Sequence, residues 1–300
     1  MTEVCRAQMM WLVNKFVEED NPNVGEIVLL LMRQIITGNV TRENIWLVEQ
    51  LVDLCSRNMK FLVGGEKIEM IPITFLTFAA IIPDHFESTF QELKTKEISL
   101  CVKLFNEKFS SIIRIGRDLV RVIENCAKKK VSEFEAIYSD FMNNPSKFGN
   151  EVSDIWSIMR VRSPRVYIAS RITSEMDIWL IFMMKYINLG GERRHEDWFR
   201  ERYLSTDLSD NLIPDLIRYI VVCFHPDNKL LSSEKVPRWV IIGWLLKCCR
   251  TKEAQESAHL ALFYDFLFYD EQGDKLMNIE PAVLLLTRSI PRYTEISASL

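Results

Sequence analysis

Apolar residues along this chain recur at intervals of three and four, and the clearest instance lies between His195 and Leu246. There Leu216, Ile217, Ile220, Val221 and Phe224 fall on one helical face, while Asp215 and Arg218 fall elsewhere. The spacing predicts a helix. His225-Pro226-Asp227-Asn228 should end it, because the residue before a proline is pushed out of the helical region and Asp and Asn favour turns. A second stripe of Val240, Ile241, Trp244, Leu245 and Cys248 predicts the next helix, with Ser232 and Ser233 offering capping oxygens and Pro237 suited to a first turn.

The same unit of helix, short turn and helix recurs along the chain. Val24 to Ile36 places Ile27, Leu30, Leu31, Gln34 and Ile35 on one face, closes at Gly38-Asn39, and is followed from Thr41 by a stripe running through Trp46 and Leu51 to Leu54. Beyond Gly64-Gly65 come an apolar helix over Met70 to Ile82, a turn at Pro83-Asp84-His85, an amphipathic stretch over Ser88 to Lys108 and a helix over Ile113 to Ala127. Shorter helices are expected over Val131 to Met142 and Val152 to Met159, then longer ones over Ser174 to Asn188, Lys252 to Phe268 and Pro281 to Thr287. No sustained alternation bounded by hairpin turns occurs. The fold class is therefore all-α, a HEAT-like helical-repeat solenoid, read as a single domain over 1–300 with a weak seam near 143–151. The last helix lacks the polar outer face of a capping repeat, so the chain reads as part of a longer protein.

Composition changes this picture little. With 48% apolar and 26% charged residues the chain is globular, and a formal charge of -4 argues against nucleic-acid binding through overall positive charge. Seven scattered cysteines, mostly in apolar helical context, imply a reducing compartment. The N-terminus has neither a basic segment nor a small-residue cleavage site, so no secretory signal is expected. The Met70 to Ile82 run falls short of the ~18 uninterrupted apolar residues of a membrane span.

Catalytic signatures are missing. Gly64-Gly65 and Gly190-Gly191 lack the residues of a phosphate loop, and no Gly-x-Ser-x-Gly elbow or His-Glu-x-x-His pair is present. Cys223, His225, Cys248 and Cys249 form the nearest approach to a metal set, yet adjacent cysteines on a helix diverge by about 100°. No cofactor is expected. The run Arg193 to Tyr203 mixes arginines with Trp198, Phe199 and Tyr203, which could stack single-stranded nucleic acid, but Glu192, Glu196, Asp197 and Glu201 offset its charge. An amphipathic helix burying its aromatics is the favoured account, and Trp198, Phe199, Trp239 and Trp244 are expected in the core. Core packing likewise accounts for the aromatic run Phe263 to Tyr269.

Particular words of the sequence carry more. LLLMRQIITGNVTRENIWLVEQLVDL (Leu29 to Leu54), IGRDLVR (Ile115 to Arg121), DWFRERYLST (Asp197 to Thr206), DLIRYI (Asp215 to Ile220), HPDNKLLSSEKVPRWVIIGWLL (His225 to Leu246), LALFYDFLF (Leu260 to Phe268) and MNIEPAVLLL (Met277 to Leu286) occur in this order. In them the chain resembles the N-terminal half of the Integrator complex subunit 3 family, which also supplies the scaffold of the SOSS complex. The match lapses around Asn58 to Met70, Glu87 to Glu97 and Lys128-Lys129-Lys130. The resemblance implies a nuclear, non-enzymatic scaffold that holds an OB-fold single-stranded-DNA-binding protein and a small SOSS C-type subunit for double-strand-break repair. It also implies other Integrator subunits as partners, in work on RNA polymerase II transcripts and small nuclear RNA 3′ ends, with single-stranded DNA met mainly indirectly and no membrane.

Loops and helix starts along one edge of a helical stack commonly carry binding. On that ground the expected partner-facing residues are Arg200, Glu201, Tyr203, His225, Asp227, Asn228, Lys229 and Arg238. The alternative function is direct binding of single-stranded nucleic acid by the Arg193 to Arg202 segment.

Overall fold

A computed structural model describes residues 2–63, 69–149 and 152–300. Among these residues no strand forms. The nearest thing is one antiparallel bridge between Asn188 and Lys235. The expected all-α, helical-repeat fold is what the chain adopts. Contacts gather the chain into two compact units, Met1–Ile36 with Val40–Arg171 and Thr37–Asn39 with Ile172–Leu300. The seam expected at 143–151 thus falls inside the first unit. The glycine turn at Gly64-Gly65 and residues 150–151 lie outside the described residues.

The first unit contains α1 (Glu3–Glu18), α2 (Val24–Met32), α3 (Arg42–Arg57), α4 (Met70–Ile81), α5 (Gln91–Glu107), α6 (Arg117–Lys128) and α7 (Ser132–Asn143). Successive hairpins α2/α3, α4/α5 and α6/α7 stack so that α4 touches α2 and α6 while α3 touches α5. All 12 residues of α4 are buried, which is why it is apolar on every side. Pro72 is harmless there, since the first turn of a helix has no N–H bond to lose. Around α4 the rings of Phe75, Phe105 and Phe134 pack with centroids 6.1 to 6.5 Å apart, and Phe141 meets Phe148 at 4.6 Å. The helix expected over Ile113 to Ala127 is broken at Gly116, which takes φ +71° and presses against the Val161 carbonyl that accepts from Arg117 N at 3.0 Å. Likewise α2 ends at Met32 and buries Val24, Val28 and Met32, leaving Leu30 exposed.

The second unit contains α8 (Ser174–Tyr186), α9 (Arg193–Tyr203), α10 (Ile213–Val222), α11 (Arg238–Cys248), α12 (Lys252–Leu267) and α13 (Glu280–Arg288). Helices α10 and α11 form its centre: α10 packs on α12 and α11, and α11 packs on α13. Every residue of α10 is buried, including Asp215 and Arg218, which the apolar stripe had placed outside. Arg218 is accommodated by Asp265 of α12, 2.8 Å away, with both side chains fully enclosed. Threonine oxygens cap α8 and α12, Thr173 accepting from Met176 N and Thr251 from Ala254 N, each at 3.1 Å. The serines expected to cap α11 instead close the short helix Asn228–Leu231, Ser233 Oγ donating to the Leu230 carbonyl at 2.7 Å, and Pro237 stands at the N-cap position of α11. The aromatic run of α12 is only half core, since Tyr264 is buried while Phe266 and Leu267 are exposed.

Candidate functional site

The most distinctive surface of the second unit is built by α8 and α9. Helix α8 sends Met176, Leu180, Met183 and Met184 inward, but it is apolar on its other side as well. Ile178 is left 67% exposed and Tyr186 65% exposed, with Trp179 and Phe182 half-buried between them. From α9, Phe199 goes inward and Trp198 stays 37% exposed, correcting its expected place in the core. Trp179 packs on Trp198 at 4.3 Å and on Phe182 at 5.4 Å, Phe182 on Tyr186 at 5.8 Å, and His195 completes the cluster at 5.5 to 5.6 Å. The guanidinium of Arg202 lies 5.5 Å from the ring centroids of both Trp198 and Tyr203 and pairs with Glu175 at 2.9 Å. Trp179 Nε1 is buried without a hydrogen-bond partner among the described residues. Exposed aliphatic and aromatic area rimmed by an Arg-Glu pair is the composition of protein interfaces.

The expected partner-facing residues divide. Arg200 and Glu201 are exposed on α9, Arg200 pairing with Asp197 at 2.8 Å. Tyr203 is buried at 7% exposure, and burial together with Glu175 pushes its hydroxyl up to about 12. His225 is half-buried, its Nε2 3.2 Å from the Val221 carbonyl. Asp227 caps the short helix by accepting from Leu230 N at 2.8 Å, and Asn228 and Lys229 are exposed in its first turn. Arg238 is interior rather than partner-facing. Its Nη2 donates to Glu280 Oε2 at 2.7 Å and to the Met277 carbonyl at 2.8 Å, while Nη1 donates to the Phe224 carbonyl at 3.0 Å just beyond α10. Burial lowers its pKa and Glu280 opposes that shift, so the charge is held by its partner. Beside it runs a groove of about 310 Å³ between Pro226, Leu230, Trp239 and Leu284. Arg200 lines a separate depression of about 460 Å³ with Arg193, Glu196, Asp197 and Arg292.

Burial, with Glu192 next in effect, pushes Glu196 up to about 7, and its Oε1 has no partner among the described residues. Burial pushes the Cys248 thiol up to about 11 and that of Cys249 to about 12, so both are protonated thiols in the folded chain at neutral pH. Among the described residues no three His, Cys, Asp or Glu side chains converge as a metal site, and no helix is long and apolar enough to cross a membrane. Periodicity found α8 and α9 but missed the exposed face of α8, because an apolar residue facing solvent has the same letter as one facing the core.

Fold and surface together define an all-α helical-repeat protein whose charged side chains hold helices together and whose exposed aromatic face is left over. The chain belongs to the Integrator complex subunit 3 family: the family model for the N-terminal region of that subunit matches residues 1–300. It is 37% identical over 301 residues to Integrator complex subunit 3 of Mus musculus and 37% identical over 302 residues to that of Homo sapiens. It is 35% identical over 300 residues to the Integrator complex subunit 3 homolog of Drosophila erecta. Each match takes in 100% of this chain and only 28% to 29% of the relative.

Proposed function

We propose that the chain serves as a non-enzymatic scaffold module of the Integrator complex in the nucleus, and that it also holds an OB-fold single-stranded-DNA-binding protein and a small SOSS C-type subunit for double-strand-break repair. Family membership supports the Integrator part of this reading. The observation that carries the scaffold part is the face of Ile178, Trp179, Tyr186 and Trp198, whose exposed apolar area has no role in the fold of its own unit. Arg200 and Glu201 are also exposed on α9, Arg200 in the separate depression with Arg193 and Arg292. The turn of Asp227, Asn228 and Lys229 is a second exposed contact region. Single-stranded DNA is reached through the OB-fold protein, since Arg200 and Arg202 of α9 are already paired with Asp197 and Glu175.

Size-exclusion chromatography of the chain with the OB-fold protein of its own organism tests this. Co-elution is expected, and Ile178→Asp with Tyr186→Ser, both at largely exposed positions, should abolish it with little change in the melting temperature. Separate elution of the wild-type proteins at micromolar concentrations would refute the reading. Direct nucleic-acid binding is favoured only by the Arg202 guanidinium against Trp198. Salt-sensitive binding of oligothymidylate by the chain alone, lost in Arg202→Glu, would establish that reading instead.

A further inference from the structure

A basic groove lies in the first unit, lined by residues of α5 and of the turn before α7. It runs along the outer side of α5 and is closed by the turn that enters α7, with a volume of about 570 Å³. Lys94, Lys103 and Lys130 line it against one acid, Glu133, in a chain whose formal charge is -4. Its floor is aliphatic: Ile98 and Val102 are half-buried one helical turn apart, and Val131 is buried beneath the turn. From Gln91 to Lys103 the groove follows about 18 Å of helix, the reach of five or six extended residues.

The cations are only lightly engaged within the chain. Lys103 pairs with no carboxylate among the described residues, and Lys94 Nζ lies 4.2 Å from the ring centroid of the exposed Phe86. Lys130 is 84% exposed at the side chain, and its contact with Glu135 is a loose 3.5 Å. Its backbone carries a second signal. Lys130 takes φ +62°, with its N–H on the Ala127 carbonyl and the next N–H on the Cys126 carbonyl, a helix end where glycine is the cheap residue. A lysine kept there presents an ammonium at the mouth of the groove.

We propose that this groove binds a short acidic peptide segment of a protein partner, with one or two branched aliphatic side chains seated on Ile98, Val102 and Val131 and carboxylates meeting Lys94, Lys103 and Lys130. Complementary charge selects the acidic partner, and the aliphatic floor selects a peptide over nucleic acid, which needs rings to stack its bases and finds none among the lining residues. The site is independent of the α8 and α9 face, so either can fail alone.

Peptide display on the immobilised chain, with the Lys103→Glu, Lys130→Glu variant as the subtractive target, tests the proposal. Selected peptides should be rich in Asp and Glu interleaved with Leu, Ile or Val. Synthesised and labelled, they should bind the wild-type chain at least about tenfold more tightly than the variant by fluorescence anisotropy. Both lysines are exposed, so the variant should keep the wild-type melting temperature. A selected pool without acidic excess, or peptides that bind both proteins equally, would overturn it. So would labelled oligothymidylate displacing the peptides, which would assign the groove to nucleic acid.

Discussion

Replacing Arg238 by methionine separates a partner contact from a structural strut. In the wild type its guanidinium makes three good bonds, to Glu280 at 2.7 Å, the Met277 carbonyl at 2.8 Å and the Phe224 carbonyl at 3.0 Å. It thereby ties the chain just past α10 to the start of α13. Charge-assisted bonds contribute about 1.5 kcal/mol or more each, so their loss costs about 4 to 5 kcal/mol. Methionine restores the packing of the aliphatic stem, and the Glu280 side chain, 18% exposed, regains some water, which brings the net cost to about 3 kcal/mol. For a chain of this size that corresponds to a fall in Tm of about 5 °C. Thermal melting followed by circular dichroism reads it directly. Glu280→Gln keeps an acceptor but leaves the buried guanidinium without its counter-charge, and should cost about 3 kcal/mol as well. A methionine variant that melts within about 2 °C of wild type while losing partner affinity would show that Arg238 serves an interface, and the packing argument would be wrong.

Two further outcomes follow from the same kind of reasoning. Glu196 is raised from its ordinary 4.5 to about 7, so the folded state prefers its protonated form; the stability this contributes is complete below pH 4.5 and lost as pH rises through 7. Because the carboxyl is partly open to solvent, the penalty above pH 7 is discounted to about 1 kcal/mol, and Glu196→Gln should recover it there while leaving urea midpoints at pH 4 unchanged. Gly116→Ala places a Cβ 2.3 Å from the Val161 carbonyl oxygen at φ +71°, whereas Gly149→Ala at φ +89° meets nothing within 4 Å. The first should cost about 3 kcal/mol or more in denaturant titration and the second about 1 kcal/mol, and equal losses would show that strain alone, without the clash, sets the cost.

Much of the fold was legible because helix formation is local. Stripes at three and four residues marked α3, α5, α10 and α11, and the unbroken apolar run of α4 already said that this helix is enclosed. What misled were residues whose environment is made far along the chain. Asp215, Arg218 and Arg238 looked like solvent-facing charges, yet the partner of Arg218 is 47 residues away and that of Arg238 is 42 residues away. Tyr203 and Arg238 left the expected surface for that reason, while Arg200, Glu201, Asp227, Asn228 and Lys229 stayed on it. Of the candidate surface itself, the spacing of Trp198 points to the core, and nothing in the letters of Ile178 and Tyr186 separates them from the rest of an apolar helix, yet all three are exposed.

The sequence by itself determined the helices, the turns that part them and the family, because each depends on neighbours within a few residues or on the order of words along the chain. Only the tertiary structure decided which apolar stripes are covered, which charges are enclosed and where Gly116 must give way to a carbonyl. Those outcomes depend on segments forty or more residues apart meeting in space, and no local pattern encodes the meeting.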